Sequence, residues 1–184
     1  QVAAAAALAL GRIGNDNATD ALRKALHTTK GDVRSTVAEG CILCAERLMH
    51  EGKSAEAVKL YDEVRESDVP KPRILEATRG SILARADDGI PLLLEQLRSP
   101  DKNRLQIGLG VARELPGRKV AEALGAELGK ASPDRAVMLL YALADRADSA
   151  VTPAVLEAAK SGAPPVRIAA IRVKHGHWLL CDRG

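Results

Sequence analysis

Apolar residues recur along the chain at spacings of three and four positions, the pattern of amphipathic helices, and these helices come in pairs. The stretch 101–130 shows one such pair, in which two helical segments are joined by a tight turn at Pro116 and Gly117. Neither helix can bury its apolar face alone, so the pair requires neighbours of the same kind. The pattern predicts an all-α protein built from repeated helix pairs.

The helix pair recurs with a period of about 31 residues. Arginine stands near the start of the first helix of successive pairs, and the last four of these arginines follow at steps of 31, 31 and 32 residues. One position of the second helix keeps the same step, at Leu97, Leu128 and Ala159. We expect each arginine to pack its stem between pairs and to bond a neighbouring carbonyl or aspartate, with phosphate or carboxylate binding as the alternative. The arginines are Arg34, Arg73, Arg104, Arg135 and Arg167.

Turn-forming residues divide the chain into five complete helix pairs and a partial sixth. Gly14 is expected to end the first helix, and Asp32 to cap the helix that begins the second pair. Ser99 and Ser132 each precede a proline and are expected to be the N-caps of the helices that follow. The predicted pairs are 2–28, 31–66, 71–98, 100–130 and 132–161, with a partial pair at 163–184, all in a single repeat domain 1–184.

Three glycines, Gly108, Gly110 and Gly125, lie inside predicted helices. Each costs about 0.5–1 kcal/mol of helix stability relative to alanine. We expect close approach between neighbouring helices to be the reason they are tolerated.

The composition narrows the class of protein. The 184 residues are 46% hydrophobic and 28% charged, as in a folded chain, and the absence of phenylalanine suits closely packed helices with small aliphatic side chains. The 27 basic and 24 acidic residues nearly balance, which disfavours nucleic acid as a partner. No stretch is long enough to span a membrane, and three cysteines favour a reduced, cytoplasmic setting. The apolar run at 2–10 lacks the basic segment of a signal peptide, and we interpret the chain as a fragment of a longer protein.

Several segments resemble one repeat family. VAAAAALALGRIGNDNATDALRKAL, VPKPRILEATRGSILARADDGIPLLLEQL and APPVRIAAIRV resemble HEAT repeats, particularly the short bacterial kind related to phycobilisome lyase repeats, and the likeness covers Val2–Val173. The resemblance implies a right-handed α-α superhelix, an armadillo-like α-solenoid of about five to six helix pairs, whose second helices line a concave, protein-binding face. It makes the following polar residues of the second helices candidates for partner contact: Arg23, Lys24, Lys59, Asp62, Glu63, Glu95, Gln96, Glu122, Glu127 and Glu157.

Motifs with reactive or metal-binding chemistry are sparse. Cys41 and Cys44 form a CxxC pair, but with no βαβ pattern and no second CxxC we expect both to pack in a core. His50 begins a single His-Glu pair, whereas the HEAT-like deoxyhypusine hydroxylases need several such pairs for their metal centre. His175, His177 and Cys181 in the tail are potential metal ligands, but their spacing does not define a site. The sequence therefore predicts no catalytic residues, no cofactor and no metal.

The leading hypothesis is a non-catalytic HEAT-like scaffold that binds a protein partner through its concave face. One alternative, also implied by the resemblance, is a lyase-type or chaperone-like accessory protein that acts on a chromophore-bearing partner. Another is a nucleic-acid-binding HEAT-like domain. The sequence leaves the partner and the oligomeric state open.

Overall fold

The computed structural model describes the backbone of residues 2–146 and 151–181 and the side chains of residues 2–146 and 151–173. All the regular secondary structure in these ranges is helical, which confirms the predicted all-α class. The chain divides into two compact units, unit 1 (Gln1–Gly89) and unit 2 (Ile90–Gly184).

Unit 1 contains five α-helices among its described residues, followed by a short 3-10 turn at Ala86–Gly89. Its helices are α1 (Val2–Ile13), α2 (Asp16–Thr28), α3 (Gly31–His50), α4 (Ser54–Glu66) and α5 (Lys71–Arg85). The described part of unit 2 continues with α6 (Ile90–Arg98), α7 (Lys102–Glu114), α8 (Arg118–Leu128), α9 (Pro133–Ala144), α10 (Thr152–Ser161) and α11 (Pro164–Cys181).

Local residues decide where the helices end. Gly14 has φ +60°, and its N–H donates to the Leu10 carbonyl at 2.9 Å, so it ends α1 as predicted. Asn15 then caps α2, because its Oδ1 accepts a hydrogen bond from the Ala18 N–H at 2.8 Å. Gly117, with φ +113°, occupies the turn between α7 and α8, where a side chain would be strained.

Two of the predicted N-caps are wrong, and a third residue stands at the N-cap position without a capping hydrogen bond from its side chain. Asp101, not Ser99, caps α7, because its carboxylate accepts the N–H groups of two residues in the first turn, at 2.9 and 3.3 Å. Asp32 lies inside the first turn of α3, whose N-cap position is Lys30. Ser132 stands at the N-cap of α9 but makes no capping hydrogen bond through its side chain.

Helices two apart along the chain pack against one another within each unit. In unit 1, α1 contacts α3 and α3 contacts α5; in unit 2, α7 contacts α9 and α9 contacts α11. The second helices of unit 2 also pack in sequence, α6 against α8 and α8 against α10. First helices thus neighbour first helices, and in unit 2 second helices neighbour second helices.

Glycine permits the closest of these helix contacts. A Cβ on Gly11 would lie 2.8 Å from the Cα of Gly40, so α1 and α3 meet backbone to backbone. The predicted reason for helical glycines is confirmed at Gly108, which faces the Leu97 backbone, and at Gly125, which faces Ala154. It is wrong at Gly110, where a Cβ would meet open space.

Small aliphatic side chains fill the core, as the lack of phenylalanine predicts. Many alanines are buried beside leucine and valine, and their small side chains let helix axes approach closely. The largest fully buried aliphatic side chains are Leu22, Leu26, Ile82, Leu93, Leu115, Leu124, Leu140, Leu143, Val64, Val111 and Val120. Among the described residues, none of the helices combines the length and apolarity needed to cross a membrane.

Candidate functional site

The second helices of unit 1 are joined by an ion pair between two of the predicted partner-contact residues. Arg23 Nε on α2 donates to Glu63 Oε2 on α4 at 2.8 Å and to Oε1 at 3.1 Å. This hydrogen bond is the main reason that the pKa of Arg23 is raised above its ordinary value. The two charges compensate each other, while Lys24 and Lys59 remain exposed beside them.

A cleft of about 260 Å³ opens beside this ion pair, between α2 and α4. Its floor is apolar, at Leu48 and Leu60, and its rim carries both signs of charge. The charged rim residues are Asp16, Asp20, Glu56, Arg23 and Lys59. Part of the predicted contact surface is therefore concave and mixed in charge.

Asp62 has a structural position rather than an open one. Partial burial opposes ionisation of its carboxylate, but hydrogen bonds from Arg85, Arg65 and Ser81 outweigh that effect and hold the pKa of Asp62 below its usual value. Arg65 Nη1 lies 2.7 Å and Ser81 Oγ 2.9 Å from Oδ1. The carboxylate ties α4 to α5 within unit 1.

Two of the predicted contact residues in unit 2 are buried. Gln96 is 2% exposed, and its Nε2 donates to the Leu92 carbonyl at 3.3 Å. Glu127 is 8% exposed and receives hydrogen bonds from Arg98, the shortest at 2.6 Å. The prediction that both present their side chains to a partner needs correcting, because these side chains face the interior of the unit.

Three other glutamates of unit 2 are exposed on its second helices. Glu95 lies on α6, Glu122 on α8 and Glu157 on α10, and these helices pack in that order. Glu95 Oε1 is 3.5 Å from an Arg104 nitrogen, and Glu122 Oε1 is 2.8 Å from Arg118 Nε. Such exposed pairs contribute about 0–1 kcal/mol each, so an incoming cation can replace them.

Two of the five arginines near the helix starts, Arg34 and Arg135, bond a neighbouring carbonyl as predicted. Arg34 Nε donates to the Thr29 carbonyl at 2.5 Å, and Arg135 Nη2 donates to the Ser99 carbonyl at 2.8 Å. Arg73 bonds glutamate instead of the expected carbonyl or aspartate, with Glu39 at 2.5 Å. Arg34 thus joins α3 to the end of the preceding pair, Arg135 joins α9 to the segment before α7, and Arg73 joins α5 to α3.

The sequence interpretation missed a second set of arginines, in or just after the last turn of first helices. Arg47 Nη1 donates to the Ile13 carbonyl at 2.6 Å, and Arg146 Nη1 donates to the Ala112 carbonyl at 2.7 Å. Both acceptors lie at the end of the preceding first helix, where carbonyls lack intrahelical donors. The recurrence of a basic residue near the ends of first helices was the available signal.

The cysteine pair is confirmed as part of the core. Cys41 and Cys44 are 0% exposed, and Cys44 Sγ lies 3.8 Å from the Gly11 carbonyl. Burial raises the pKa of Cys41 to about 12 and that of Cys44 above its ordinary value. Thiols held neutral in this way are poor nucleophiles and poor metal ligands.

Metal-ligating side chains do not cluster in the described part of the chain. The tail candidates His175, His177 and Cys181 lie outside the residues whose side chains the structure describes.

No protein-family model matches the chain, and no curated protein matches it by sequence.

Proposed function

We propose that the chain is a non-catalytic α-solenoid module of the HEAT-like kind that binds a protein partner through charged residues of its second helices. The packing of helices two apart along the chain within each unit supports a repeat array. So do Arg47 and Arg146, which bond one helix pair to the pair before it at separations of 31 to 34 residues.

The observation that carries the proposal is that three successive second helices of unit 2, which pack in order, each carry an exposed glutamate: Glu95, Glu122 and Glu157. A partner that presents basic groups to unit 2 would complement these carboxylates. The same carboxylates repel phosphate, which counts against the nucleic-acid alternative. In unit 1 the mixed charges beside the Arg23–Glu63 pair would meet a more polar part of the partner.

The test is a pull-down from native lysate of the source organism with three baits. One is the wild-type chain, and one is the variant Glu95→Lys/Glu122→Lys/Glu157→Lys. Glu127 is left intact because its side chain is 10% exposed and paired with Arg98, so a lysine there would place two cations side by side. The matched control, Asp68→Lys/Asp88→Lys/Asp134→Lys, changes net charge equally at exposed positions outside the second helices.

A partner retained by the wild type and by the control, but lost by the glutamate variant, supports the proposal and identifies the ligand. Equal retention by all three baits places the contact elsewhere and contradicts it. Equal loss from both variants shows that net charge alone governs retention, which also contradicts it. Absence of any specific partner would favour a structural spacer.

A further inference from the structure

A cavity of about 550 Å³ lies between α3 and α5 in unit 1. It is large enough for an amino-acid side chain or a small ligand. Its apolar lining comes from α3 and α5, at Ile42, Leu43, Met49 and Leu83. These walls belong to first helices, so the cavity is separate from the second-helix surface proposed above and does not depend on it.

Tyr61 reaches this cavity from α4, the helix that packs against both α3 and α5. The residue is 3% exposed, and its ring lies over Gly80, where a Cβ would overlap the ring atoms next to the hydroxyl. Burial raises the pKa of Tyr61 to about 12, so the hydroxyl is neutral under physiological conditions. Within the described part of the chain this hydroxyl has no hydrogen-bond partner, and its oxygen is not fully buried, so it is open to a ligand in the cavity.

The charges around the cavity are unequally compensated. Arg73 is bonded by two carboxylates, Glu39 at 2.5 Å and Glu76 at 2.7 Å. Glu46 forms no ion pair among the described residues, and its charge is one of the causes that raise the pKa of Tyr61. The remaining rim residues are Arg79, which is engaged in an interaction of its own, and His50. Three glutamates against two arginines leave the rim with one excess negative charge, counting histidine as neutral.

We propose that this cavity binds a basic side chain, lysine or arginine, of a protein partner. The aliphatic stem packs against Ile42, Leu43 and Leu83, and the cation lies beside the Glu46 carboxylate. The Tyr61 hydroxyl oxygen accepts a hydrogen bond from the same cation. The site thus matches the two parts of such a side chain, an apolar stem and a charged end.

The test uses three synthetic peptides that differ at one position: acetyl-Gly-Leu-Lys-Leu-Gly-amide and the versions with norleucine or glutamate in place of lysine. Each is titrated to about 10 mM against the full isotope-labelled chain, a range that detects weak binding by NMR. The readouts are the backbone amide of Gly80 and the methyl group of Met49, both at the cavity. We expect the lysine peptide to shift both signals and to bind about tenfold more tightly than the norleucine peptide.

Equal binding of the norleucine peptide would reduce the site to an apolar groove and overturn the proposal. Tighter binding of the glutamate peptide would assign the site to the arginines and overturn it as well. Shifts confined to other parts of the chain, or none at all, would show that the cavity does not bind this side chain.

Variants then assign the contacts. Glu46→Gln is expected to weaken the lysine peptide about tenfold, whereas Glu66→Gln, an exposed control on α4 outside the cavity, leaves affinity unchanged. Tyr61→Phe is expected to weaken binding about threefold while keeping the ring over Gly80. If Tyr61→Phe fails to fold, Glu46→Gln alone tests the proposal, because Glu46 is exposed and its replacement should not disturb folding. Wild-type affinity of Glu46→Gln for the lysine peptide would refute the proposal.

Discussion

Arg146 Nη1 donates a hydrogen bond to the carbonyl oxygen of Leu115 at 2.6 Å, across 31 residues of sequence. The same nitrogen is 2.7 Å from the Ala112 carbonyl, so one guanidinium closes the end of α7. Arg47 makes the equivalent bond to Ile13 at the end of α1. A cation placed at a helix C-terminus also meets the negative end of the helix dipole. In these two cases, a helix pair therefore stabilises the first helix of the pair before it.

Replacing Arg146 by methionine should lower the free energy of unfolding by about 2–4 kcal/mol, because two buried carbonyls lose a charged donor. Urea unfolding followed by far-UV circular dichroism measures this change. The matched control is Arg118→Met, whose side chain is 84% exposed and pairs with Glu122 on its own helix. It should change stability by less than about 0.5 kcal/mol. Equal losses in the two variants would show that Arg146 does not cap α7.

Alanine at Gly40 should destabilise the protein by about 1–3 kcal/mol, despite the better helix propensity of alanine. The added Cβ would lie 2.7 Å from the Ala7 carbonyl oxygen, so α1 and α3 must separate. Gly110→Ala is the matched case, because a Cβ there meets open space. It should stabilise α7 by about 0.5–1 kcal/mol. Thermal unfolding should show a lower Tm for Gly40→Ala and a higher Tm for Gly110→Ala. A shift of Tm in the same direction for both would be inconsistent with the close helix contact.

Removal of the Asp101 carboxylate, in Asp101→Ala, should cost about 1 kcal/mol, since two N–H groups of α7 lose their acceptor. Ser132→Ala should cost less than about 0.5 kcal/mol, because Ser132 makes no capping bond through its side chain. Amide hydrogen exchange at the first turns of α7 and α9 measures each effect locally. A larger increase in exchange at α9 in Ser132→Ala than at α7 in Asp101→Ala would reverse the assignment of the two caps.

Stability should fall as the pH rises above 9.0, the ordinary pKa of a thiol, towards about 12, the pKa of Cys41 in the folded chain. In that window the unfolded chain releases the Cys41 proton and the folded chain keeps it, so deprotonation favours unfolding. The contribution is about 1.4 kcal/mol per pH unit for one thiol. Urea titrations over this range should show a shallower decline for Cys41→Ala than for the wild type. Parallel declines would mean that the Cys41 thiol ionises equally in both states.

Much of the local structure could be predicted because short-range chemistry determines it. The glycine at position 14 and the turn at Pro116 and Gly117 stop helices wherever they stand, since their backbone preferences are intrinsic. The apolar spacing identified the helices, and the recurring arginines identified the pairs. Caps were predicted less well: at Ser99 and Asp101 two good capping residues stand close together, and only the path of the backbone selects between them.

The exposure of the predicted contact residues could be predicted only in part from the sequence. Apolar periodicity gives the centre of a buried face but leaves its margins open, because a residue at the margin is covered only if a neighbouring helix passes over it. Glu95 and Gln96 are adjacent in sequence, yet Glu95 is exposed and Gln96 is buried, with 2% of its surface accessible. Glu127 is likewise buried, and its carboxylate is paired with Arg98.

The sequence by itself determined the all-α class, the turns and the burial of the cysteine pair, because these follow from backbone preferences and from the hydrophobicity of neighbouring residues. Only the tertiary structure decided which carboxylates stay exposed and which arginines close the preceding helix. It alone placed Tyr61 over Gly80 to form the floor of a cavity. These features depend on helix axes approaching at particular distances, and that separation is set by packing between residues far apart in the chain.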